Sequence, residues 1–143
     1  MNKIDIEMFV RGVDNSFPIP LSRKQDLKQF AHKLYEHATL CAEYEDEKIV
    51  SLVAGYTENV LENRAYISVA ATCAEARGKG YASKLIKEFI DICRQKDLDA
   101  VHLYAVPSNV TAVNMYKRLG FEEWVIENET RPNDLHLIYY IKK

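Results

Sequence analysis

Arg77-Gly78-Lys79-Gly80 sets two cations and two glycines at the head of an apolar stripe. The stripe, Ala82, Leu85, Ile86, Phe89, Ile90 and Cys93, repeats at helical spacing. Amides in the first turn of a helix lack intrahelical partners, and the helix dipole adds positive potential there, so the position suits an anion. Glycine lets the backbone come close to that anion, and Arg77 and Lys79 add charge, which is the chemistry of a pyrophosphate. On spacing alone, a plain strand-to-helix turn using glycine for its dihedrals accounts for the same residues. There is no G-x-x-x-x-G-K-[ST], and no G-x-G-x-x-G with an acid about 20 residues later on a second strand. Nucleoside triphosphates and dinucleotides are therefore disfavoured.

Other residues with chemical potential are dispersed. Asn109 stands at the start of a helical segment, where an N-cap is favoured. Tyr116 falls on the inner face of that helix beside Leu119, which places a phenol at a core or a cleft. Tyr66 and Ser68 share one face of the strand Arg64 to Thr72, and His102 and Tyr104 share one face of the next strand. The odd, scattered Cys41, Cys73 and Cys93 lack metal-ligand spacing, and no Ser-His-Asp or Cys-His arrangement follows from spacing. His32, His37 and His136 have no partner that the sequence identifies.

The elements that must position these groups read as α-α-β-β-β-α-β-α-β-β. Ile6, Phe9, Val10 and Val13 predict a short amphipathic helix, followed by a proline loop through Phe17-Pro18-Ile19-Pro20. Ser22-Arg23-Lys24-Gln25 has the capping-box pattern, with Ser22 as N-cap of a second helix carrying Leu27, Phe30, Ala31 and Leu34. Leu40 to Tyr44 and Lys48 to Thr57 predict a hairpin, and Arg64 to Thr72 a third strand. The Tyr81 helix follows, with Lys84–Glu88 and Lys87–Asp91 spaced for ion pairs on its outer side. Ala100 to Val106 is a strand, Asn109 to Leu119 a helix stopped by Gly120, and Phe121 to Thr130 and Leu135 to Ile141 two closing strands. The pattern predicts a mixed sheet with helices packed on it, an α/β (α+β) architecture.

Bulk properties narrow the classes. A length of 143 residues with no repeat or linker fits one domain, 1–143, able to bury roughly two-thirds of its unfolded surface. A net charge of -2 is not that of a polycationic nucleic-acid binder. No run approaches the roughly 20 apolar residues that span a bilayer, and the N-terminus has no apolar signal core, so the expectation is a cytoplasmic protein without a membrane partner.

Arg77-Gly78-Lys79-Gly80-Tyr81-Ala82 resembles the R/Q-x-x-G-x-G/A signature of the GNAT N-acetyltransferase superfamily. A second segment is similar to the same family: Asn109-Val110-Thr111-Ala112-Val113-Asn114-Met115-Tyr116 matches its N-x-x-A-x-x-x-Y helix, and Leu119-Gly120-Phe121 its L-G-F exit. The resemblance covers roughly residues 38 to 130 and implies a mixed central sheet flanked by helices and splayed at the family's strands 4 and 5. It implies acetyl-CoA as co-substrate and no metal. Arg77, Gly78, Lys79, Gly80, Tyr81 and Ala82 would hold the pyrophosphate, the backbone at Ala70, Ala71 and Thr72 would pair with the pantetheine arm, and Asn109 would also touch the cofactor. Tyr116 would be the catalytic acid, giving a proton to the thiolate expelled from CoA.

The implied reaction is direct acetyl transfer to a primary amine of a small-molecule acceptor, with residues 1–37 covering the acceptor. Many relatives carry a glutamate on the strand that here reads Arg64 to Thr72. This chain has none, which leaves the general base among Tyr66, Ser68, His102 and Tyr104. A catalytically silent acyl-CoA sensor and a protein N-acetyltransferase are the alternatives, and a homodimer is implied by resemblance alone.

Overall fold

The structure, a computed structural model, describes residues 1–17 and 20–142. Pro18 and Ile19 of the expected proline loop lie outside the described residues. Two helices come first, α1 (Lys3–Val13) and α2 (Leu27–His37). A hairpin of β1 (Thr39–Glu45) and β2 (Lys48–Tyr56) leads to β3 (Arg64–Thr72). Then come α3 (Tyr81–Gln95), β4 (Ala100–Ala105), α4 (Val110–Leu119), β5 (Glu122–Glu123) and β6 (Leu135–Tyr140).

The sheet order is β1-β2-β3-β4-β6-β5. Among the described residues only β3 and β4 run parallel, and α3 makes the crossover between them. The inner faces of α1 and α2 pack on one side of the sheet around Leu52, Ala54 and Val69. On the other side Leu85, Ile86 and Phe89 of α3 are sealed from solvent, with Val113 and Tyr116 of α4 in the same cluster. Each such aliphatic or aromatic side chain contributes about 1.5–3 kcal/mol by burial, which is what holds α3, and the turn before it, against the sheet.

β3 and β4 pair only at Arg64↔Ala100, Ala65↔Val101 and Tyr66↔His102. Beyond Tyr66 they diverge, so the splay expected at the family's strands 4 and 5 falls at this chain's third and fourth. Across β3, the register with β2 shifts between Ala54 and Gly55, which leaves Ser68 as the extra residue of a β-bulge. Ile67 before the bulge belongs to the α3-side core and Val69 after it to the opposite core. Gly55 is required here: a Cβ on it would lie 2.6 Å from both the Phe89 ring and the Tyr66 carbonyl.

Three local expectations are corrected. Ser22 does not cap α2; its hydroxyl and amide both donate to Asp14, at 2.6 and 2.8 Å, within a short 3-10 turn at Leu21–Arg23. Asp26 is the cap, accepting from the Gln29 amide, and the capping box of the chain is Asn2 with Asp5 on α1. The strand expected from Phe121 to Thr130 shrinks to Glu122–Glu123, because the chain then leaves the sheet edge as a loop whose Glu129 turns back toward β4 and β6. On α3, Lys84 pairs with Glu43 of β1 rather than with Glu88, and Asp91 with Arg94 rather than with Lys87.

Candidate active site

The splay opens a cavity of about 400 Å³ through the sheet. One part of its lining comes from Ala70, Ala105, Val106, the α4 N-cap Asn109 and the α4 residues Ala112 and Tyr116. The other comes from Phe17, Leu21, Phe30 and Lys33 on the α1–α2 side, with Tyr56, Tyr66 and Tyr104 between. Past Tyr66, the edge of β3 that would meet β4 has no strand partner, so its backbone groups are available to an extended ligand. Ala70 lines the cavity at that edge. Ala71 and Thr72 continue it, fixed from behind by Ser51, whose hydroxyl meets the Ala71 carbonyl at 3.2 Å and the Thr72 hydroxyl at 2.8 Å.

The glycine turn leads into α3 as its residues require. Gly78 and Gly80 have φ of +81° and +79°, left-handed values at which glycine is unstrained. Gly80 is the N-cap of α3, and no side chain caps the helix, so the amides of its first turn remain open. A Cβ at either glycine would meet nothing within 4 Å, so the concavity is free of protein. Arg77 donates to the Thr72 carbonyl at 3.3 Å and has no carboxylate partner among the described residues. Lys79 does have one: Glu45 accepts from Lys79 at 2.6 Å and from the Tyr81 hydroxyl at 2.8 Å. Glu45 ends β1 just before a tight two-residue turn, Asp46 and Glu47, both with positive φ. Lys79 and Tyr81 thus anchor the turn to the β1–β2 hairpin, and Arg77 carries the unneutralised charge. Ala82 follows in the first turn of the helix.

On the opposite wall Asn109 caps α4, its side chain accepting from the Ala112 amide at 3.4 Å, and also lines the cavity. Tyr116 is 7% exposed, with its ring edge-on to Phe121 at 5.7 Å. Burial pushes its phenol up to about 12, so the proton stays on oxygen throughout the neutral range. No sealed side-chain polar atom among the described residues lacks a partner, and Tyr116 is a cavity-lining residue. Cys73 is half-buried with its thiol pushed up by burial, which speaks against a nucleophile.

The remaining polar groups form a hydrogen-bonded chain that sequence reasoning missed in part. The Tyr104 hydroxyl donates to Glu129 at 2.5 Å. The other carboxylate oxygen of Glu129 meets His136 Nδ1 at 2.8 Å, and His136 Nε2 meets His102 Nδ1 at 2.8 Å. Tyr104 stacks on His136 at 4.1 Å, and Tyr66 lies 5.1 Å from His102. The Tyr104 hydroxyl is the first cause holding Glu129 at about 2, with the His136 bond adding to it. A carboxylate at Glu129 accepts from a proton-bearing His136 Nδ1. Burial first, then His136 and Arg64, lowers His102 to about 4, so it is neutral near pH 7. Tyr66, Tyr104, His102, His136 and Glu129 also line a second cavity, about 580 Å³, that continues the first along the sheet.

Residues 6–121 match the acetyltransferase (GNAT) family. The chain belongs to that family. Membership bears out the resemblance carried by the Arg77 and Asn109 segments. One relative of this GNAT chain is N-alpha-acetyltransferase 30 of Schizosaccharomyces pombe, 34% identical over 58 residues, which are 41% of this chain and 39% of the relative. Another is mycothiol acetyltransferase of an Arthrobacter species, 38% identical over 58 residues, 41% of this chain and 18% of that protein. The matched stretch therefore spans well under half the length of either relative. The whole fold is shared with a GNAT-family acetyltransferase of Staphylococcus aureus, with TM-score 0.78, 16% identity and coverage of 98% and 93% of the two chains. It is also shared with the PaiA N-acetyltransferase of Thermoplasma acidophilum in complex with coenzyme A, with TM-score 0.72, 12% identity and coverage of 98% and 95%.

Proposed function

We propose that the chain, acting as one unit over 1–143, moves an acetyl group from acetyl-CoA to a primary amine of a small-molecule acceptor, both held in the cavity through the sheet. The observation that carries this reading is the unpaired edge of β3 beyond Tyr66, which runs along the same cavity that Tyr116 lines from the far wall. Acetyl-CoA supplies the activated acetyl group. Its pyrophosphate fits the open amides at Tyr81 and Ala82, the turn Gly78-Lys79-Gly80, and the charge of Arg77. The backbone of Ala70, Ala71 and Thr72 pairs with the amides of the arm as an added strand would, and Asn109 approaches it from the start of α4.

Tyr116 donates a hydrogen bond to the departing sulfur. A phenol this weakly acidic stabilises developing thiolate charge by donation rather than by giving its proton up outright. The acceptor ammonium must first lose a proton, which passes to solvent water, because Glu129, held at about 2, is too weak a base to take it. Tyr104 donates its own proton to Glu129, so its oxygen presents lone pairs to the cavity as an acceptor. Glu129 keeps Tyr104 and His136 in place and offsets positive charge arriving there. This arrangement favours turnover over a silent sensor. The names of the relatives point both to an N-alpha-acetyltransferase and to an acetyltransferase of mycothiol, and a cavity lined on one side by the apolar Phe17, Leu21 and Phe30 fits a small acceptor. The three unpaired cysteines accord with a cytoplasmic setting.

Calorimetric titration with acetyl-CoA, followed by thiol release in the presence of a panel of primary amines, tests the reading. Saturable binding with amine-dependent thiol release supports it. A folded chain that fails to bind acetyl-CoA well above micromolar concentration refutes it.

A further inference from the structure

The acceptor side of the cavity carries more positive charge than an amine substrate alone would favour. Lys24, Lys33 and Arg131 line it against a single acid, Asp134. None of the three has a carboxylate within ion-pair distance among the described residues. The chain as a whole is slightly acidic, at -2, so this local excess runs against the overall balance. Two of the cations are held by aromatic rings. The Lys33 ammonium lies 5.4 Å from the centre of the Tyr56 ring, and the Arg131 guanidinium 4.8 Å from that of Tyr104. Both rings line the cavity, and Tyr104 is fixed in turn by its stack on His136 and its bond to Glu129. Arg131 and His136 both contact the Tyr104 ring, and Glu129 is already engaged by Tyr104, His136 and the Arg131 amide.

A cation ring of this kind repels a simple ammonium and attracts an anion. We infer that the acceptor carries an anionic group, a carboxylate or a phosphate, close to its primary amine, and that Lys33 and Arg131 recognise it. This rests on the reading of the chain as an amine acetyltransferase and names the substrate class for that site. Arg131 offers a planar fork suited to either anion, and Lys33 a point charge from the α2 side. Two sources share the chemistry: a small amino acid or amino phosphate, and a peptide whose N-terminal residue is acidic.

The test uses matched acceptor pairs in the thiol-release assay: β-alanine against its amide, O-phosphoethanolamine against ethanolamine, and a short peptide beginning with aspartate against its asparagine counterpart. The expected result is a preference of about tenfold or more in kcat/KM for the anionic member of at least one pair. Which pair shows it separates the small-molecule source from the peptide. In Lys33→Ala and Arg131→Ala that preference should fall toward unity through KM, with acetyl-CoA affinity at its wild-type value, and Lys33→Arg should restore most of it. Neutral members that match or outpace the anionic ones overturn the inference. Calorimetric titration of O-phosphoethanolamine against ethanolamine, with and without CoA, reads the anion site without turnover. Equal or absent binding of the two there, with no preference in the peptide pair, also overturns it. Failure of acetyl-CoA to bind, with O-phosphoethanolamine still bound through Lys33, would sink the enzyme reading and leave the anion site standing.

Discussion

Proton traffic at the proposed site is divided between two phenols with different surroundings. Tyr116 sits in apolar packing that holds its proton on, and Tyr104 shares its proton with a carboxylate. Tyr116→Phe should therefore lower kcat by about 10²–10³ with little change in KM for acetyl-CoA. Its melting temperature should stay near wild type, since the hydroxyl has no hydrogen-bond partner among the described residues to lose; a Phe variant with unchanged kcat would remove Tyr116 from the chemistry. His102 allows a different measurement. Its folded value of about 4 lies below the ordinary imidazole value of 6.5, so the unfolded chain binds more protons between those values. The stability this group contributes is fully present above pH 6.5 and is lost as pH falls toward 4. For Glu129, lowered from 4.5 to about 2, the corresponding loss runs from pH 4.5 down to 2. Urea midpoints followed from pH 7.5 to 4.5 should fall in wild type and fall less in His102→Asn; equal pH slopes would contradict the buried neutral imidazole. Tyr116 and the Arg77 turn were legible because each lies in a short, contiguous pattern. His136 was not, because it meets Tyr104 and His102 only through the β4–β6 register, which sets Tyr104 opposite His136, and Glu129 was not, because it joins them from the loop before β6. Had that pairing been known, strand alternation would have placed His102, Tyr104 and His136 near one another.

At the scale of the element, the turn before α3 depends on backbone conformation as much as on charge. Gly80→Glu puts an anion beside the proposed pyrophosphate but also forces a side chain onto φ of +79°, a strain of about 1 kcal/mol or more. Gly80→Ala shares the strain without the charge. Both variants should lose similar stability, whereas only Gly80→Glu should abolish acetyl-CoA binding in calorimetry. Equal loss of binding in the two would mean that the turn's shape, rather than a phosphate, is what Gly80 serves. The α2 start shows why element boundaries were harder to read. Ser22 and Gln25 have the right types at the right spacing for a capping box, yet Asp14, eight positions back, takes both donors of Ser22. Asp26, directly ahead of Leu27, was the better-placed cap. The strand expected from Phe121 to Thr130 failed for a related reason: Glu129 finds three donors away from the ladder, and the chain follows them.

Across the molecule, the two cores meet only through the sheet, and the sheet is weakest where β3 and β4 part after three paired residues. α3 crosses from β3 to β4, so the hairpin side and the β4–β6 side are tied there by its packing and by Tyr66↔His102. A ligand lying in the splay supplies hydrogen bonds to the open β3 edge and contacts to α4, adding bonds between halves that the chain itself leaves unjoined. Binding of this kind should stabilise the whole fold rather than one loop. At a CoA concentration about a hundred times its dissociation constant, linkage gives about 2.7 kcal/mol, which for a chain of this size corresponds to a rise in Tm of about 5–10 °C. Hydrogen exchange should slow at the amides of β3 beyond Ile67 and in the first turn of α3, with the outer faces of α1 and α2 unaffected. Gly80→Glu should show neither the thermal shift nor the protection. A thermal shift in wild type with protection confined to α1 and α2 would place the cofactor on the opposite side of the sheet, and with it the acceptor, reversing the two halves of the cavity.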